Sequence, residues 1–198
     1  MAITTTPALS HWNYFLALEA DLANLSRYVE FTPDNYRAYS IEMVHLLLAS
    51  ASEVDVVLKQ LCVVVAPEKR ADNIEIYREV LQTLDPSIAG VSVSLPRFGL
   101  DLTPWANWQD DKSPEWWVDH NKVKHERGTH FQKANLKNVL NAMSGLFVVL
   151  IFYYRTQTEV KRLVPPPQLF MAPRDLVNLA HTLGGETGLF YKRDAKLL

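Results

Sequence analysis

Apolar positions recur at helical spacing through most of the chain. Over residues 11–31 they fall at Tyr14, Phe15, Leu18, Leu22, Leu25 and Val29, the i, i+3, i+4, i+7 pattern of one buried helix face. Thr32-Pro33 has the form of an N-cap followed by proline at the first helical position, so a second helix is predicted to start there. It runs to about residue 65, where Ala66-Pro67 stops it. Its stripe is Ile41, Val44, Leu47, Leu48, Ala51, Val54, Leu58, Leu61, Cys62 and Val65. A third, shorter helix is expected over 68–84, ending before Asp85-Pro86.

The pattern changes over 86–113, where Pro86, Gly90, Pro96, Gly99 and Pro104 break any helix. Residues 91–95 alternate with period two, and Leu100-Asp-Leu102 follows a Pro-Arg-Phe-Gly turn, which fits a small β-hairpin. Such a long connection is either a binding or lid element, or an insertion whose Trp105 and Trp108 cover the bundle. Ser113-Pro114-Glu115 starts the next helix, with Gly128 as its natural stop. Thr129-His-Phe-Gln132 has the capping-box form for the helix after it. That last helix carries Leu136, Val139, Leu140, Met143, Phe147, Leu150 and Tyr154 on one stripe and ends before Pro165-Pro-Pro167. Being apolar around much of its circumference, it suits the centre of a bundle. The tail offers one short helix over 173–183, closed by Gly184-Gly185. The whole reads as an all-α, up-and-down bundle of about five main helices with a small irregular or β-hairpin insertion near 86–113. Residues 1–163 form the bundle domain, and 164–198 an extension packing on it or on a partner.

Composition narrows the class. At 198 residues, 48% apolar and 21% charged, the chain suits one compact domain. Twenty basic against 22 acidic side chains give a net charge of -2, so a nucleic-acid site has to be a local patch. The single cysteine, Cys62, excludes an internal disulfide and any multi-cysteine zinc site. The first ten residues have neither a basic region nor an apolar core, so no signal peptide is expected. The longest unbroken apolar run, 146–154, falls short of the roughly 20 residues of a membrane span. A cytoplasmic protein without membrane association is expected.

Functional side chains are densest over 116–127. On a helix, Asp119, Lys122 and Glu126 share one narrow arc that reads as the solvated face. Asn121, Lys124 and His125 share a different surface, on the side that carries Trp116 and Trp117. Asp55 is a matching anomaly, a carboxylate on the apolar stripe of the second helix. It needs a partner: Lys59 four residues on, or Lys124, His125 or Arg127 from a neighbouring helix. It is either a docking ion pair or the carboxylate that orients a catalytic group.

Three chemistries could use this cluster. His120, His125 and His130 step by five residues, about 140° each, and cannot converge on one metal ion from one helix. Cys62 lies on a core stripe, where thiols are inert, and no glycine-rich phosphate loop or Rossmann fingerprint occurs, so neither metal nor cofactor is called for. Metal-free RNA cleavage fits better. An imidazole moves the 2′-hydroxyl proton while a fixed cation stabilises the charged phosphorane, and His125 with Lys124 and Arg127 supplies those parts. Over 120–137, Lys122, Lys124, Arg127, Lys133 and Lys137 outweigh Glu126, which suits an anionic ligand; Lys122, Lys133 and Lys137 are the expected RNA contacts.

His120-Asn121-Lys122-Val123-Lys124-His125 resembles the motif of the HEPN superfamily: an arginine, a polar residue that is often asparagine, three further residues and a histidine. The Ser-Pro-Glu-Trp-Trp start and the long apolar helix that follows are also similar to members with an Asn-x-x-Lys-His signature. The resemblance implies a small helical bundle that dimerises, with two motif copies facing each other in a metal-independent endoribonuclease site. It assigns His125 as acid/base and Asn121 as the orienting polar group, and it puts His120 where the family has arginine. It also implies a defence or toxin–antitoxin setting, with RNA and an antitoxin or effector protein as partners. HEPN-like domains that lack the full motif resemble non-catalytic binding modules, and that alternative stays open.

Overall fold

The structure, a computed structural model, describes residues 8–182 and 184–192. Five α-helices carry most of it: α1 (Ser10–Leu25), α2 (Ile41–Val65), α3 (Ile74–Leu84), α4 (Glu115–His130) and α5 (Leu136–Arg155). Helix α5 is the axis, packed mainly on α2 and also on α1 and α4. Its side chains from Ala142 to Phe152 are all buried. It is long and apolar enough, by length and composition, to cross a membrane, although its longest unbroken apolar run is short. Its apolar window is nonetheless 83% buried inside the fold, as befits a core helix.

Caps decide where the helices begin, and here several sequence expectations are corrected. Thr32-Pro33 opens only a 3-10 turn, Pro33–Asn35, and Thr32 makes no capping bond. The α2 start is fixed by Ser40, whose side chain accepts from the Met43 N–H. Asn73 likewise caps α3 by accepting from Ile76 N–H, so that helix starts at Ile74 rather than at 68. Gly128 does not stop α4, and Thr129 caps nothing; Asn135 caps α5 through the Asn138 N–H. The α1 stripe holds as far as Leu25, where the helix ends short of Val29; Trp12 joins the buried face and Tyr14 is exposed.

The hairpin is present: β1 (Val93–Leu95) and β2 (Leu100–Leu102) pair antiparallel across the Pro96–Phe98 turn. Gly99 closes that turn at φ 63°, a left-handed position that glycine takes without strain. Trp105 and Trp108, at 0% and 1% exposure, cover the bundle rather than line a lid.

The tail differs from expectation. In place of a helix over 173–183 there is a three-stranded antiparallel sheet in the order β3 (Arg162–Leu163), β5 (Thr187–Tyr191), β4 (Val177–His181). Leu183 and 193–198 lie outside the described residues, as do the first seven. Gly185, at φ 84°, belongs to the β4–β5 connection instead of a helix cap. The segment before β4 is held by Glu19 of α1. Its buried carboxylate accepts from the backbone N–H groups of Gln168, Leu169 and Phe170 at 3.0, 2.7 and 3.3 Å. The Phe170 ring then joins Phe15 and Phe147 in the core.

Candidate functional site

The tryptophans of α4 set its rotation. Trp116 Nε1 donates to the Pro104 carbonyl at 2.8 Å, and its ring meets Trp105 edge-on. Gly145 of α5 makes room for it, since a Cβ there would stand 3.0 Å from Trp116 Cζ2. With that face seated, His120 and Val123 turn inward, Asn121 is partly open, and Lys124, His125 and Arg127 are exposed. The helix breaks just beyond: Glu126 has φ -135° and ψ 52°.

His120 lies beside the Trp117 ring and is 4% exposed, and its Nδ1 is buried without a hydrogen-bond partner. Burial pushes its pKa from 6.5 down to about 4; Lys124 and His125 push the same way, and Asp55 partly opposes them. The imidazole is therefore neutral near pH 7. The motif position that holds arginine in the resembling family carries no charge here.

Together, α2, the start of α3 and α4 enclose a cleft of about 650 Å³, lined among others by Asp55, Lys59, Trp117, His120, Asn121 and Lys124. Asp55 resolves its anomaly locally. One carboxylate oxygen takes the Lys59 ammonium, and the other accepts the Tyr77 hydroxyl at 2.8 Å. No hydrogen bond or ion pair joins it to Lys124, His125 or Arg127, although its charge is felt at His120. Tyr77 was missed in the sequence, yet it had a signal. It sits on the α3 stripe with Ile74, Val80 and Leu81, and a buried tyrosine hydroxyl calls for a polar partner.

The basic residues separate into two groups. Asp119, expected on a solvated face, is only 14% exposed at its side chain. It takes Lys122 at 3.5 Å, Lys133 at 3.4 Å and the Asn138 amide at 3.0 Å. Lys137 pairs with Glu115 at 2.8 Å. Lys122, Lys133 and Lys137 thus have carboxylate partners in the α4–α5 seam. By contrast, among the described residues no hydrogen bond or ion pair engages the side chains of Asn121, Lys124, His125 or Arg127. His125 and Asn121, four residues apart, share one side of α4; Lys124 precedes His125 in the helix and Arg127 follows the break at Glu126.

The three histidines do not meet: His120 is buried, His125 is exposed, and His130 pairs with Glu126 at 3.6 Å. Among the described residues no three His, Cys, Asp or Glu side chains are grouped to hold a metal ion. Burial pushes the Cys62 thiol up to about 11, which removes it as a nucleophile near neutrality. The arrangement offers a neutral buried imidazole, an exposed imidazole and two unpaired cations, a set suited to an anionic ligand. No family model, curated protein or solved structure matches the chain.

Proposed function

We propose that this chain is a HEPN-like helical bundle that binds RNA through the outer face of α4 without cutting it. The state of His120 carries this reading. A permanent cation at that position would stabilise the negative charge that builds on the phosphorane oxygens during cleavage, and removing one such preorganised group costs about 100- to 1000-fold in rate. A buried imidazole with a pKa near 4 does not replace it. Binding asks for less: exposed donors and cations that meet phosphates, which Asn121, Lys124, His125 and Arg127 provide. Lys122, Lys133 and Lys137 add field at the margin, because Asp119, shared by Lys122 and Lys133, and Glu115 offset most of their charge. From the resemblance we take the rest of the setting: a cytoplasmic homodimer in RNA-targeting defence or a toxin–antitoxin pair, with an antitoxin or effector protein as further partner.

One observation favours a second reading, a metal-independent endoribonuclease. His125 is exposed one turn from Asn121, with unpaired Lys124 before it in the chain and unpaired Arg127 just past the helix break. There His125 would take the 2′-hydroxyl proton, the 2′-oxygen would attack phosphorus, and the P–O5′ bond would break as the 5′-oxygen takes a proton from water, giving 2′,3′-cyclic phosphate and 5′-hydroxyl ends.

Fluorescence anisotropy with a labelled unstructured RNA tests the binding reading. Affinity is expected to fall with salt, and Lys124→Ala with Arg127→Ala to lower the salt slope by about 2. Absence of binding at low salt contradicts it.

A further inference from the structure

The three-stranded tail sheet has an open edge at β4, and its hydrogen-bonding phase shows which groups face outward. At the two ends of the β4–β5 ladder, Lys192 N–H donates to the Leu176 carbonyl at 3.4 Å and Thr182 N–H to the Glu186 carbonyl at 2.8 Å. Asn178↔Phe190 and Ala180↔Gly188 lie in the same alternate phase, so these are the bonded pairs. Leu179 and His181 therefore point their N–H and C=O groups away from β5, where no described strand meets them. Val177 faces the same way, its N–H taken by the Pro173 carbonyl at 3.3 Å and its own carbonyl open. The strand carries no lysine, proline or bulge, the usual devices that keep a free edge from pairing.

Beside this edge runs a groove of about 550 Å³, lined among others by Phe170, Met171, Val177, Leu179 and Leu189. Leu179 lies opposite Leu189, on the face where Leu189 and Val177 are buried, yet it is 64% exposed. The single charged side chain in the lining is Arg174. It is exposed, and among the described residues it makes no hydrogen bond or ion pair. Its neighbour Asp175 lines a different hollow, with Pro86 and Val91. Open main-chain groups call for an extended backbone, the groove takes alternate apolar side chains, and an unpaired guanidinium selects a carboxylate. We infer that β4 is a docking edge for an extended segment of another protein. That segment adds as an antiparallel fourth strand, seats apolar side chains beside Leu179 and sets an acidic side chain on Arg174. An antiparallel strand runs toward Val177 and Arg174, so the acid lies on the C-terminal side of the residue facing Leu179. The edge shares no residue with the α4 face, and the inference is independent of the RNA-binding reading.

The test selects octapeptides from a random displayed library against the full chain and then measures a synthetic copy of the most enriched one. Enriched peptides are expected to alternate apolar residues and to carry an acidic residue toward the C-terminus. By hydrogen exchange, the Leu179 and His181 amides are unprotected in the free chain and become protected when the peptide binds. N-methylation of the peptide residue that faces Leu179 abolishes binding. Leu179→Pro does the same, since it removes an outward N–H and leaves the β5 ladder intact. Arg174→Gln weakens the peptide about threefold, the size of an exposed ion pair, and selection against Arg174→Glu reverses the charge preference. No enriched peptide, or one indifferent to N-methylation, overturns the docking edge. An acidic preference that survives Arg174→Glu overturns the carboxylate assignment. Amides already protected in the free chain also overturn the inference. Protection lost on dilution makes a second copy the occupant, and protection at every dilution means that the chain covers its own edge.

Discussion

His120 and Asn121 are neighbours in the chain that experience different media: the imidazole is 4% exposed and neutral, while the carboxamide beside it is partly open and without a partner. One step along α4, about 100°, separates what the bundle has absorbed from what it presents.

The first prediction concerns pH. The native pKa of His120 lies near 4 and its ordinary value at 6.5, so between those values the unfolded chain carries the extra proton. Stability from this group is fully present above the unfolded value and is lost as pH falls toward the native one. At about 1.4 kcal/mol per unit the window amounts to about 3 kcal/mol. Urea denaturation of wild type and His120→Phe checks it. The difference in stability between them should shift by that order against the wild type from about pH 7 to about pH 4. A pH-independent difference contradicts the burial account.

The second concerns the Asp55–Tyr77 contact, which ties α2 to α3 beside the cleft. Tyr77 is fully buried and its hydroxyl donates to a carboxylate. Tyr77→Phe is expected to cost about 1.5 kcal/mol, the size of a hydrogen bond to a charged acceptor partly open to water. A double-mutant cycle with Asp55→Ala should recover most of that as coupling. Additive effects would mean that the two side chains do not interact in solution.

Much of the bundle was legible because α1, α2 and α5 carry long stripes, and a period of 3.6 is hard to mistake over four turns. Starts were less legible. Thr32-Pro33 and Thr129-x-x-Gln132 have the chemistry of caps, but Ser40 and Asn135 are where the chain turns in, a matter of tertiary geometry. The tail was misread because Leu176, Val177 and Leu179 fit a helix face and a strand about equally over so few residues. Gly184-Gly185 closes either one. At the site, the motif spacing found α4 and its exposed Asn121 and His125. It did not reveal that Trp116 and Trp117 would rotate His120 inward, because that depends on Gly145 and Pro104 from distant segments.

The third prediction concerns Glu19, which the helical pattern places on α1 with no hint of its partners. Glu19→Ala leaves three backbone N–H groups of the tail without their acceptor. A loss of about 3 kcal/mol or more is expected by urea denaturation, as for an uncompensated buried polar cluster. Hydrogen exchange should show the amides of residues 168–170 losing protection first. Unchanged protection there would show that the tail is held by its apolar contacts alone.

The central proposal is that a HEPN-like motif with a buried, neutral His120 binds RNA and leaves it whole. The most direct test incubates purified protein with mixed RNA in excess EDTA, beside His125→Ala. The account predicts intact RNA with both proteins. Cleavage by the wild type alone, leaving 2′,3′-cyclic phosphate ends, would contradict it and make His125 the acid/base of an active ribonuclease.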